Sequence, residues 1–135
     1  MQNQLVNIDA EKVYNHWIET SEGDYQTMMR LFESQSFHWA LFLGHISIEK
    51  LLKARYVKIH QQHAPFIHNL YRLAELCNLE LNDEYSDWLD TITSFNIQAR
   101  YDDYKNEFYK QCTPQFTQEW IDKITLLRKW IKEKL

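Results

Sequence analysis

The chain has 135 residues, enough for one domain with a buried core. Its formal charge of −4 excludes a general nucleic-acid coat, which would carry a strongly positive balance. Hydrophobic residues make up 44% and aromatic residues 15%, and two Gly and two Pro leave little turn chemistry, so long helices are favoured over many short strands.

The first helix is predicted from about Asp9 to Ser34. Tyr14, Trp17, Ser21, Tyr25, Met28 and Phe32 recur at steps of three and four, which places them on one face. Asp9 is the natural N-cap, and Gly23 is a point at which the helix could bend. The second helix runs from about Phe37 to His60 and is apolar on two sides, with Leu41, His45, Ile48, Leu52, Tyr56 and Ile59 on one stripe and Trp39, Phe42, Ile46 and Val57 on another. A helix of that kind is usually central. A short third helix, about His68 to Cys77, follows Pro65. A fourth starts after Asn82, with Asp83 and Glu84 in its first turn and Tyr85, Trp88, Leu89, Ile92 and Phe95 facing inward.

Residues 99–112 lack clean periodicity and are read as a loop. Thr113-Pro114 then gives a capping residue followed by proline at the first helical position. The last helix extends to about Lys134, with Trp120, Ile124, Leu127 and Ile131 inward. No segment alternates with period two, so no sheet is predicted. The expected fold is all-α over residues 1–135: an antiparallel up-and-down four-helix bundle with one extra short helix, in a single domain.

Charge is unevenly spread. Residues 50–63 carry Lys50, Lys53, Arg55, Lys58, His60 and His63 with no acid, whereas residues 75–90 carry six acids with no Lys or Arg. A local basic patch is therefore expected. Cys77 and Cys112 lack metal-site spacing and read as buried thiols, which suits a reducing cytoplasm. The first residues lack the pattern of a signal peptide, and no apolar run is long enough to span a membrane.

Motifs for chemistry are sparse. His60, His63 and His68 cluster around a turn, but without the carboxylate or Cys partners of zinc or di-iron sites, so no metal and no cofactor is expected. There is no GxSxG, Walker A or GxGxxG motif. In the 99–112 segment, Tyr101, Tyr104, Phe108 and Tyr109 interleave with Arg100, Lys105 and Lys110. That mixture suits a nucleotide or RNA strand, and equally a loop packed over the end of a bundle.

Three ordered segments carry a resemblance. Ile48-Glu49-Lys50-Leu51-Leu52-Lys53-Ala54 reads as an EKxLKA helix. His68-Asn69-Leu70 with Leu73 reads as HxLxxL. Ala99-Arg100-Tyr101-Asp102-Asp103 reads as an aRYpd segment. In this order they resemble the HEPN family, over nearly the whole chain from Trp17 onward. The resemblance implies a four-helix up-and-down bundle, usually a homodimer, often encoded beside a minimal nucleotidyltransferase in a toxin–antitoxin pair. It also implies nucleotide binding in the simpler members. In many others it implies metal-independent ribonuclease activity through an Arg-x(4–6)-His motif, with Arg and His of two protomers facing each other.

The chain departs from that last motif. Counting from Arg100, the positions for His hold Lys105, Asn106 and Glu107. Arg55 and His60 meet the spacing in mid-helix, where a separation of five puts the side chains on different faces. No catalytic residue is assigned. The expected reading is a nucleotide- or partner-binding module, its site lined by Lys50, Lys53, His68, Arg100 and Tyr101. The alternatives are a ribonuclease with an altered site around Arg100, and a dimerisation protein using exposed Trp120 and Trp130 for docking.

Overall fold

A computed structural model describes residues 8–135 and, within them, every side chain except those of residues 102–105. The described residues form six helices and no strand: α1 (Ala10–Glu33), α2 (Phe37–His60), α3 (Leu70–Leu76), α4 (Asp83–Arg100), α5 (Asp102–Gln111) and α6 (Pro114–Glu133). None is long and apolar enough to cross a membrane.

The capping signals in the sequence are used as written. The side chains of Asp9, Asn69, Asn82 and Thr113 accept hydrogen bonds from the backbone N–H three residues on, at Lys12, Arg72, Tyr85 and Phe116. Pro114 sits in the first turn of α6. α1 runs through Gly23 without interruption. α2 ends on Gln61 in the left-handed region, at φ 55°.

α2 is central, packing against α1, α3, α4, α5 and α6. Its Ala40, Leu41, Ile48, Leu51, Leu52, Ala54 and Val57 are fully buried. Gly44 lets α6 approach closely, since a Cβ there would lie 2.5 Å from Ile124 Cδ1. α4 runs antiparallel to α2: Asn96 meets His45, and one turn further on the Arg100 guanidinium lies 6.0 Å from the Phe42 ring.

The loop expected at 99–112 is instead α5, so the extra short helices number two among the described residues. Tyr101, extended at φ −101° and ψ 134°, breaks α4 from α5, and no side-chain cap marks the restart. Phe108 and Cys112, four apart, are buried among the described side chains after Tyr101, and Phe108 packs against Phe95 with ring centroids 5.4 Å apart. Tertiary burial of that pair holds the helix.

Both cysteines are buried and free. Burial pushes each thiol up to about 12, and Cys77 Sγ donates to the Leu52 carbonyl, as expected of structural thiols. Trp120 is buried, and the half-buried Trp130 packs against Tyr85 in a T-shaped pair, so the two do not form an exposed tryptophan patch.

Candidate functional site

The EKxLKA stretch of α2 sets a carboxylate into the core. Glu49 is 6% exposed and bonds in two directions. One oxygen pairs with Lys53 Nζ at 2.9 Å, a helical i,i+4 pair that is itself buried. The other accepts from His68 Nδ1 at 3.0 Å. His68 precedes α3, and its ring is more than half exposed. A buried carboxylate thus holds the imidazole by one nitrogen and leaves Nε2 turned away, without a hydrogen bond among the described residues. This is how carboxylates orient histidines for proton transfer or ligand contact.

The backbone of His68 is fixed as well. Its carbonyl accepts from Nε2 of the fully buried His45 at 2.9 Å. Burial pushes His45 below the usual imidazole range, so it is neutral, and a proton on Nε2 leaves Nδ1 as an acceptor. Asn96 Nδ2 of α4 donates to it at 3.4 Å. The Asn96 carbonyl in turn accepts from Arg100 Nε at 3.1 Å. Asn96 Oδ1 is buried with no hydrogen-bond partner among the described residues.

One polar chain therefore links Lys53, Glu49, His68, His45, Asn96 and Arg100 across α2, the loop before α3, and α4. It reaches solvent at His68 and at Arg100. The terminal nitrogens of Arg100 make no hydrogen bond or ion pair among the described residues. Its guanidinium lies 5.5 Å from the ring of Tyr101, which is about half exposed.

Of the five residues expected at the site, Lys53, His68, Arg100 and Tyr101 fall on this chain or beside it. Lys50 does not: its Nζ pairs with Asp24 of α1 at 2.7 Å. The expected basic patch dissolves for the same reason, since neighbours in sequence leave α2 on different faces. Arg55 donates to the carbonyls of Cys77 and Lys134, and His60 lies 2.8 Å from the Leu76 carbonyl, so both tie down the end of α3. Tyr104 and Lys105 lie outside the described side chains. Among the described residues no group of three or more His, Cys, Asp or Glu could hold a metal.

The motif order is matched by a family model for the HEPN domain, over residues 14–135. The chain belongs to the HEPN domain family. Its fold is similar to the crystal structure of TT1696 from Thermus thermophilus, with a TM-score of 0.74 and 17% identity, over 90% of this chain and 98% of that one. Among curated proteins, none matches the sequence. Within this HEPN domain the EKxLKA glutamate and the HxLxxL histidine are hydrogen-bonded to each other. His45 and Asn96 are the members that sequence reasoning missed. Their signal was a polar side chain on an otherwise apolar stripe.

A second buried charge was also missed. Arg128 of α6 is 3% exposed; its guanidinium donates to Ser21 Oγ at 2.6 Å, to the Ser47 carbonyl at 3.3 Å and to Glu22 at 3.0 Å, and lies 4.7 Å from the Tyr25 ring. Lys132 also bonds Glu22, at 2.9 Å. A hydrogen bond from Lys132 and the charge of Arg128 hold the Glu22 carboxyl below its usual range against some desolvation.

Proposed function

We propose that this HEPN-type protein is a cytoplasmic nucleotide- or partner-binding module: a homodimeric up-and-down four-helix bundle that accompanies a minimal nucleotidyltransferase in a toxin–antitoxin-type pair. Its ligand site is the polar chain that surfaces at His68 and at Arg100, with Lys53 paired to Glu49 on it and Tyr101 beside Arg100. What supports the reading is that one buried hydrogen-bonded chain reaches solvent at His68 and at Arg100, with the terminal nitrogens of Arg100 turned to no described carboxylate. A planar guanidinium in that state suits a phosphate, which it can hold by two parallel bonds. Calorimetry with ATP, GTP and their monophosphates tests it. Binding that weakens ten-fold or more in Arg100→Ala supports the site; no heat with any of them, at protein well above micromolar, sinks the nucleotide reading.

The second reading, a metal-independent ribonuclease, is favoured by one observation. The Arg100 region lacks a histidine at the family spacing, but the Glu49–His68 pair supplies an oriented imidazole from another element. General-base chemistry requires such a group within reach of a hydroxyl. RNA cleavage lost in both Arg100→Ala and His68→Ala, with the fold intact, would establish it. Cleavage indifferent to both changes would assign it to a contaminant.

A further inference from the structure

His45 lies fully buried at the middle of the polar chain, with one nitrogen committed and the other not. Its Nε2 is 2.9 Å from the His68 carbonyl, which only accepts, so Nε2 carries a proton. Nδ1 then has two states. In the neutral ring it is an acceptor, and the Asn96 amide meets it with Nδ2 at the long distance of 3.4 Å. In the imidazolium it is a donor and needs an oxygen instead.

Two oxygens are at hand. Asn96 Oδ1 is buried and has no hydrogen-bond partner among the described residues. Oxygen and nitrogen of an amide sit on one carbon, so half a turn of the Asn96 amide exchanges them and sets Oδ1 against Nδ1. The second is Glu49 Oε1, 3.8 Å from His45 Nδ1, and it is the same oxygen that accepts from His68 Nδ1 at 3.0 Å. The pocket around His45 can therefore be satisfied in either protonation state, and the two arrangements differ by one proton and one turn of an amide.

Burial decides which imidazole keeps the carboxylate. A charge on His45 has no access to water, whereas the His68 ring is 62% exposed and is hydrated when Glu49 leaves it. Glu49, fixed at its other oxygen by Lys53, follows the buried charge. The groups that act most strongly on that proton come from three elements. Glu49 of α2 and the His68 carbonyl favour it; the His68 ring, before α3, and Arg100 of α4 oppose it. Burial opposes it most, so the charged state belongs to acid and the neutral one to ordinary pH.

We propose that His45 is a proton-operated switch for the exposed histidine of the site: without the proton, Glu49 holds the His68 ring in place; with it, the Asn96 amide turns over and Glu49 Oε1 moves to His45, which lets the His68 ring go. The switch belongs to the chain itself and works without a ligand.

Nitrogen NMR of the histidine rings and of the Asn96 side-chain amide, on isotope-labelled full chain taken from about pH 7.5 downward, tests it. At the upper end His45 has its proton on Nε2, and the His68 Nδ1–H is protected from exchange by Glu49. As His45 takes up its second proton, the Asn96 amide signals shift with the same midpoint, and the His68 Nδ1–H begins to exchange with water. Asn96→Asp supplies an oxygen without a turn and moves the His45 midpoint to higher pH; Asn96→Leu supplies none and moves it lower. A His45 that stays neutral until circular dichroism shows unfolding overturns the switch. So does proton uptake that leaves the Asn96 and His68 signals unmoved, and so does a midpoint unchanged in both Asn96 variants. Where those variants do not fold, the titration of the parent chain decides alone.

Discussion

Two buried charge clusters occupy different sides of α2, and they differ in where their hydrogen bonds end. The Arg128 cluster ties α6 to α1 and α2: the guanidinium is spent on Ser21, the Ser47 carbonyl and Glu22, with Tyr25 beneath it, and the half-exposed Glu22 and Lys132 at its rim pair with each other. The Glu49 cluster begins just as deep, with Glu49, Lys53, His45 and Asn96 all under a tenth exposed, but it finishes at His68 and Arg100 in solvent. Buried charge marks both, so burial alone does not identify a site. Both reach solvent; what distinguishes them is that one cluster is closed in its hydrogen bonding, its exposed Glu22 and Lys132 paired with each other, whereas the other presents groups whose hydrogen-bonding capacity the described residues leave unused. The closed one fixes how three helices pack; the open one carries the proposed ligand site.

The largest expected effect comes from removing the centre of the open cluster. Glu49→Ala strands Lys53, a buried ammonium, and should cost on the order of 3 kcal/mol in urea unfolding. Glu49→Gln keeps an acceptor for both partners and should cost less, while His68 loses its charged anchor and ligand affinity falls. Arg128→Ala comes next, at about 2 kcal/mol, from a lost side chain packed on Tyr25 and an unmet Ser21 oxygen. It should leave nucleotide affinity untouched, measured on the folded fraction. If Arg128→Ala abolished binding while Glu49→Gln spared it, the assignment of closed and open clusters would be reversed.

Most of the helical frame was legible because its signals are local. Thr113-Pro114, Asn82 and Asp9 announce helix starts by capping chemistry, and the double apolar stripe of α2 announces a central helix. α5 was not legible, because it rests on Phe108 and Cys112 reaching a core that other elements build. Lys53, His68, Arg100 and Tyr101, named from the motifs, lie on the polar chain or beside it, whereas Lys50 turns to Asp24 of α1, because one residue of rotation on a helix turns a side chain by about 100°. His45 was assigned to an apolar stripe and does lie there; its role depends on a carbonyl 23 residues away. Arg128 pairs with Ser21 across 107 residues, a contact no local pattern encodes. The hint in each case was the same: a polar side chain where the period calls for an apolar one.

A smaller effect separates the two clusters along the pH axis. His45 is held below the ordinary imidazole value of 6.5, chiefly by burial, so the unfolded chain binds a proton that the folded one refuses. More protons on the unfolded state means that stability rises with pH through this window, and that it falls on acidification from about 6.5 downward. Glu22 acts lower. Its carboxyl is held below 4.5, first by the hydrogen bond from Lys132, so its contribution is full above 4.5 and is lost as pH falls further. Both slopes have the same sign, but they begin about two pH units apart and belong to different clusters. Urea midpoints measured from about pH 7.5 to about pH 3.5 should therefore fall in two stages. His45→Gln should flatten the upper stage and leave the lower; Glu22→Gln should do the reverse. A single stage removed by either substitution would mean that the two clusters are one electrostatic unit, and that the open site cannot be tuned without disturbing the closed one.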